Sequence, residues 1–211
     1  MCRARGVVAR ERAVVSASLL AALTLTACSP SVAGDAPPTT PSFSAGASSG
    51  AGGAPRVPQA LDTSKYQQDP CSMLGVAQLQ ALNISATGKP RSASTGPACD
   101  WSDDNGPSKM FLTLTLVTKG DGMAGLYSRQ KNFQLFQPLP PIEGYPAVLA
   151  DQVDSRKAGS CTAVVAVTDQ LVYMTQVQLR SGAHKSDDYS DPCPRTQKIA
   201  TEVLKNMKAG G

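Results

Sequence analysis

Residues 109–118 read "KMFLTLTLVT". Leu112, Leu114 and Leu116 alternate with Thr113 and Thr115, a period of two that marks a β-strand with one apolar and one wet face. Such a strand belongs in an antiparallel sheet, because parallel strands are buried on both faces and read as continuous apolar runs. Upstream, residues 99–102 ("CDWS") supply a hairpin partner. Asp103, Asp104, Asn105, Gly106 and Pro107 between them have the chemistry of a turn. Downstream, "CTAVVAVTD" and "LVYMTQVQLR" form a second hairpin around Asp169 and Gln170, and "YPAVLADQV" is a strand before it. Between the two sets, "MAGLYSRQKNFQLF" reads as a helix.

Two further helices are announced by one tripeptide, in "QDPCSML" around Cys71 and "SDPCPRT" around Cys193. Asp is a strong N-cap and Pro is favoured at the first helical position, so each Asp-Pro-Cys opens a helix with its cysteine in the first turn. After Cys193, residues Thr196, Ala200, Val203, Leu204 and Met207 recur at three- and four-residue spacing, with Lys198, Glu202, Lys205 and Lys208 off that face. After Cys71, Leu74, Leu79 and Leu82 supply apolar contacts and Gly75 breaks the helix into two short pieces. The expected fold is α+β: an antiparallel sheet of about five strands packed against N-terminal, middle and C-terminal helices.

The N-terminus has a different character. Arg3, Arg5, Arg10 and Arg12 face a single acid, Glu11, and residues 13–27 carry no charge. That is the pattern of an export signal, and the apolar run is short for a spanning helix, which needs about 20 residues. Leu25-Thr26-Ala27-Cys28 resembles the bacterial lipobox, in which the cysteine is diacylated and becomes the first residue of the mature chain. The expected division is therefore a lipoprotein signal peptide at 1–27, a tether at 28–60 and a single domain at 61–208. The tether is almost wholly Ser, Pro, Ala, Gly and Thr and has too little apolar bulk to offset the entropy of ordering. For some 30 such residues the random-coil span is roughly 30 Å, which would hold the domain clear of the headgroups. Removing the signal also removes four Arg and one Glu, so 20 Lys+Arg against 16 Asp+Glu becomes 16 against 15. The near-neutral product argues against a nucleic-acid partner.

Export sets the reading of Cys71, Cys99, Cys161 and Cys193. In an oxidising compartment an even set of cysteines pairs, and neither a C-x-x-C nor a second histidine beside His184 offers a metal site. Four cysteines allow three connectivities. The element order favours Cys71 with Cys99 and Cys161 with Cys193, since each pair joins a helix start to a strand. Each bond would close a loop of about 30 residues, for which chain entropy gives about 3–4 kcal/mol.

Several motifs fail in context. Gly46-Ala47-Ser48-Ser49-Gly50 matches G-x-S-x-G but lacks the strand and helix that strain a nucleophile elbow. The residues from Gly120 to Gly125 match G-x-G-x-x-G after a strand and before a helix. A dinucleotide site also needs an acid at the end of the next strand, and Glu143 lies in "PLPPIEGYP", which is expected not to be strand interior. His184 reads as an exposed loop residue. Asp187 and Asp188 read as solvated, Asp191 as a helix cap, and their spacing is not that of a calcium loop. Trp101 beside Cys99 reads as core.

The lipobox, the tether, "DPC" at 69–71, "CDW" at 99–101, "GYPAV" at 144–148, "SCTAVVAV" at 160–167 and "DPC" at 191–193 together resemble the actinobacterial lipoproteins grouped as domain of unknown function 3558. The resemblance spans most of residues 66–207. It supports the disulfides and an envelope location while implying no activity, and no cofactor is expected. Gly75 departs from it, standing where a capping Ser or Thr is expected. The element order is also similar to sheet-and-helix domains of the photosystem assembly protein type, which bind other proteins; fold alone does not fix function. The expected protein is lipid-anchored through Cys28 on the outer face of the cytoplasmic membrane, and its domain binds a protein partner or small ligand without catalysis. A structural accessory subunit of an envelope complex and an enzyme with an unrecognised site are the alternatives.

Overall fold

The structure, a computed structural model, describes residues 51–103, 105–180 and 189–210. Its frame is one antiparallel sheet of seven strands: β1 (Lys89–Ala93), β2 (Gly96–Ser102), β3 (Met110–Val117), β4 (Leu135–Ile142), β5 (Tyr145–Asp151), β6 (Ser160–Ala166) and β7 (Val172–Leu179). They lie in the order β1-β2-β3-β7-β6-β5-β4, so the two long hairpins meet at the β3–β7 pairing in the middle. The α+β class and both hairpins are as expected, and the strand number is corrected from about five to seven.

The two additional strands are the two edges. β1 carries Lys89, Pro90 and Arg91, and β4 carries Pro138, Pro140 and Pro141. Proline cannot complete a ladder and charge discourages further pairing, so runs of this kind are best tolerated at an edge. "PLPPIEGYP" is thus an edge strand followed by a tight turn, in which Glu143 and Gly144 have φ of 49° and 88°. The middle helix is also shorter than expected. α3 (Gly122–Ser128) gives way to a 3-10 turn at Gln130–Asn132, Phe133 is extended, and Leu135 already belongs to β4.

Alternation sends side chains to both faces, and both are covered in part. On the first face Trp101, Leu112, Leu114, Leu116, Tyr173 and Val177 are buried under α4 (Cys193–Lys208) and the N-terminal helical elements. Those elements are α1 (Ser64–Gln68), a 3-10 turn at Pro70–Met73 and α2 (Val76–Ala81). α4 buries the face its spacing predicts, with Ile199 added to it. Each fully buried aliphatic side chain there contributes about 1.5–3 kcal/mol against its exposed state. On the second face Val148, Val164, Ala166 and Val172 pack with Met123 of α3 and with Ala54.

That last contact corrects the domain boundary. Ala54 is 2 % exposed, Val57 packs beside it, and the Leu61 amide donates to the Val167 carbonyl at 2.9 Å. Residues 51–60, expected in the tether, therefore belong to the domain as a strap across α3 and the β6–β7 hairpin. The wet face expected for β3 is corrected as well: Thr113 and Thr115 are 6 % and 8 % exposed. The Thr113 hydroxyl donates to Asp100 Oδ1 at 2.8 Å, which satisfies it in this position.

Both disulfides join a helical start to a strand. Cys71 bonds Cys99 and Cys161 bonds Cys193, with Cα separations of 5.0 and 5.3 Å. Asp69 Oδ1 accepts from the Cys71 amide at 3.2 Å and Asp191 Oδ1 from the Cys193 amide at 3.4 Å, the capping that the Asp-Pro-Cys pattern predicts. Gly75 leaves α2 without a capping side chain, and Gln78 reaches back instead, its Oε1 accepting from the Gly75 amide at 2.8 Å. Among the described residues no helix is long and apolar enough to cross a membrane.

Candidate functional site

Between the strap, α3 and the β6–β7 hairpin lies a cleft of about 180 Å³. Ala54, Val57, Met123, Ala124 and Ala166 make its apolar walls, and Arg56, Thr168, Asp169 and Gln170 supply polar groups. Small residues leave this space. Three of the six apolar lining residues, Pro55 included, are alanines, and the strap crosses the sheet without a helix of its own to fill the gap. Asp169 ties the strap to the hairpin, its Oδ1 accepting from the Val57 amide at 3.4 Å. Thr168 Oγ1 accepts from the Gln170 and Leu171 amides and fixes the hairpin that forms the far wall.

The G-x-G-x-x-G segment enters this site as structure. Gly122 has φ of 57°, and a Cβ there would lie 2.5 Å from the Asp169 carbonyl oxygen, so only glycine lets α3 start against the hairpin. β3, which precedes it, is antiparallel to both β2 and β7. The doubly wound parallel context of a dinucleotide site is therefore not the one around these glycines.

Charged groups elsewhere are tied to the fold. Asp103 is buried in the turn after β2. Its Oδ1 accepts from the Ser85 amide and hydroxyl at 3.2 and 2.6 Å, and its Oδ2 from those of Ser108 at 3.0 and 2.5 Å. Burial pushes its pKa up, but the four donors outweigh it and hold the carboxyl below its ordinary value. Gly106 permits that arrangement, because a Cβ there would fall 2.0 Å from Asp103 Oδ1. The sequence marks this segment only as a turn; the signal is an Asp with Gly three and Ser five residues on.

Asp100 pairs with Arg91 at 2.8 Å and accepts from Thr113; these contacts overcome its burial and lower its pKa. Asp154 is held at a pKa of about 2 by hydrogen bonds from Arg156. Asp151 goes the other way: burial raises it, only partly offset by the Thr162 amide 3.0 Å from its Oδ2. These carboxylates are spread over β2, β5 and two turns and do not converge on the cleft. Among the described residues no group of three or more His, Cys, Asp or Glu is placed to hold a metal ion.

Other residues singled out in the sequence have definite places. Trp101 is 1 % exposed, in the core beside the Cys71–Cys99 bond, and Asp191 caps α4. Cys28, His184, Asp187, Asp188 and residues 46–50 lie outside the described residues. The cleft was not legible in the sequence, because its walls come from segments near residues 54, 124 and 169 that share no motif.

No curated protein and no solved structure matches the chain. The family model described as "Protein of unknown function (DUF3558)" matches residues 23–206, most of the sequence, and the chain belongs to that family.

Proposed function

We propose that this is a lipid-anchored, extracytoplasmic envelope lipoprotein whose domain is a binding module for a protein partner or a small ligand, without catalysis of its own. The cleft under the strap carries the binding half of this reading. It is apolar, bordered by a few polar groups, and bounded by a chain segment rather than by the sheet alone, the usual character of a ligand site. Its volume suits a short apolar group and not a large cofactor. The anchored half rests on the lipobox-like Cys28 and the charge pattern before it.

What favours binding over catalysis is the dispersal of titratable groups among the described residues. A hydrolytic or acid–base site needs a nucleophile, a base and an orienting partner within reach of one another. Here the four described cysteines are paired in disulfides, and Asp100, Asp103 and Asp154 are each committed to neighbouring donors.

The test is a crosslinked pull-down of the lipidated protein from its own membranes, read by mass spectrometry, with Cys28→Ala as the unanchored control and Ala124→Phe to fill the cleft. A partner or bound small molecule that is lost with Ala124→Phe supports the binding module. Enrichment of an envelope complex that survives Ala124→Phe would replace it with the accessory-subunit reading. Turnover of a substrate by the purified chain would overturn the non-catalytic reading.

A further inference from the structure

The face that carries α3 is also where the chain arrives from its N-terminus. The turn at Ala51–Gly53 lies along α3: a Cβ on Gly52 would sit 3.5 Å from the Ala124 carbonyl oxygen and 3.8 Å from the Ser128 amide nitrogen. Beside this entry point Tyr127, Phe133 and Phe136 form a half-exposed aromatic cluster. Tyr127 stands edge-on to Phe136 with ring centroids 5.2 Å apart, and Phe133 is 5.9 Å from Phe136. Arg56, Arg129 and Lys131 are exposed on the segments that flank the cluster. Arg129 approaches Asp121 only to 3.8 Å, with both side chains largely in water, so that ion pair does little to neutralise it.

Rings that are half wet, with cations next to them, have the composition of surfaces that settle at the lipid–water interface. The rings occupy the headgroup level and the cations meet anionic lipid. α4 on the opposite face is also cationic, with Lys198, Lys205 and Lys208 exposed, but its neighbouring ring, Tyr145, is buried. We propose that the α3 face of the domain rests directly on the anionic surface of the bilayer. This proposal builds on the reading of Cys28 as the anchor and adds to it an orientation. With the strap counted in the domain, only residues 29–50 separate Cys28 from the fold. Even fully extended, those residues reach no further than about 75 Å. A tether of that length presents the α3 face to the membrane at an effective concentration on the order of millimolar, where a patch too weak to recruit a free protein is still occupied. The domain is then held against the headgroups rather than clear of them.

The test uses the mature chain from Cys28 to Gly211, its Cys28 thiol coupled chemically to a maleimide lipid in vesicles rich in anionic phospholipid, with both disulfides intact. Phe133→Trp reports the α3 face and Val76→Trp, at a residue 73 % exposed on α2, reports the opposite one. Lipids brominated near the headgroup should remove most of the added emission from Phe133→Trp and leave that from Val76→Trp unchanged. Combining Arg56→Glu, Arg129→Glu and Lys131→Glu should restore the lost emission. Hydrogen exchange of the unsubstituted chain supplies a second readout, with slowing over residues 122–136 on anchoring expected. Equal quenching of both reporters, quenching of neither, or no slowing of exchange over 122–136 would overturn the proposal. Because the coupling is chemical, its outcome is independent of whether cells acylate Cys28, which the mass of the native N-terminal peptide decides separately.

Discussion

The two faces of the sheet are covered by different means. The first carries α4, sixteen residues long, and both disulfides deliver their helical cysteines to it. It is further fastened by side chains that reach backbone groups across the core. The Tyr173 hydroxyl donates to the Ala200 carbonyl at 2.7 Å, Asn206 Nδ2 to those of Ser72 and Met73 at 2.7 and 3.2 Å, and Gln78 Nε2 to that of Glu202 at 2.6 Å. The second face is covered by the seven residues of α3 and a strap held by a 3.4 Å contact to Asp169 and the Leu61 bond. It also keeps unfilled space beneath the strap. A face that is crosslinked and close-packed specifies the fold, whereas one that is thinly covered opens at small cost and is suited to meet a ligand or surface.

The largest effect expected from disturbing this asymmetry is on the first face. Replacing Cys161 and Cys193 together by Ser should cost about 2–5 kcal/mol, read as a lower urea midpoint. A loss under 1 kcal/mol would mean that α4 docks without its staple. Next, Ile199→Ala and Met123→Ala each remove a buried side chain, one from each face. Such deletions cost about 2–5 kcal/mol depending on how well the site collapses. Ile199→Ala should lie at the upper end and Met123→Ala at the lower, because the strap can settle into the space. The reverse order in chemical denaturation would break the comparison.

Asp103 sharpens it from the turn side. Asp103→Ala strands the buried hydroxyl and amide of Ser108, releases those of exposed Ser85 to water, and should cost about 1–3 kcal/mol. Its folded pKa lies below the unfolded value of about 3.9, so its stabilisation is present above that value and is lost as pH falls through the folded one. Asp103→Asn should therefore flatten the acid limb of a stability–pH curve below about pH 4. The smallest effect is at Asp151, whose folded pKa is raised by burial. Its ionised form is disfavoured in the fold at neutral pH, and this cost is relieved as pH falls through the folded pKa. Asp151→Asn keeps an acceptor for the Thr162 amide and should raise the melting temperature slightly at pH 7, a gain that shrinks on acidification.

The central strands were readable because alternation in β3 and the β-branched, apolar runs of β6 and β7 are local signals, and α4 because its apolar positions keep helical spacing. The disulfide pairing was favoured but not fixed by that order, since four cysteines allow three connectivities and only the fold brings each helical cysteine to its strand partner. β1 and β4 were not readable, since an edge strand is allowed the prolines and charges that elsewhere argue against a strand. The burial of Thr113 could not be read either, because its partner Asp100 comes from the neighbouring strand. The strap was hidden for a similar reason: "GGAPRVP" has the composition of the linker before it, and only the apolar floor contributed by Ala166, Met123 and Val172 gives Ala54 something to bury against. The cleft exists only where those distant segments meet.

The most direct measurement is native-state hydrogen exchange of the whole domain, resolved by segment. Amides of β3, β7 and α4 should exchange only through global unfolding, whereas those of the strap and α3 should exchange through a local opening of clearly lower free energy. Protection of α3 and the strap equal to that of α4, responding identically to denaturant, would contradict the division of the sheet into a fastened face and an opening one.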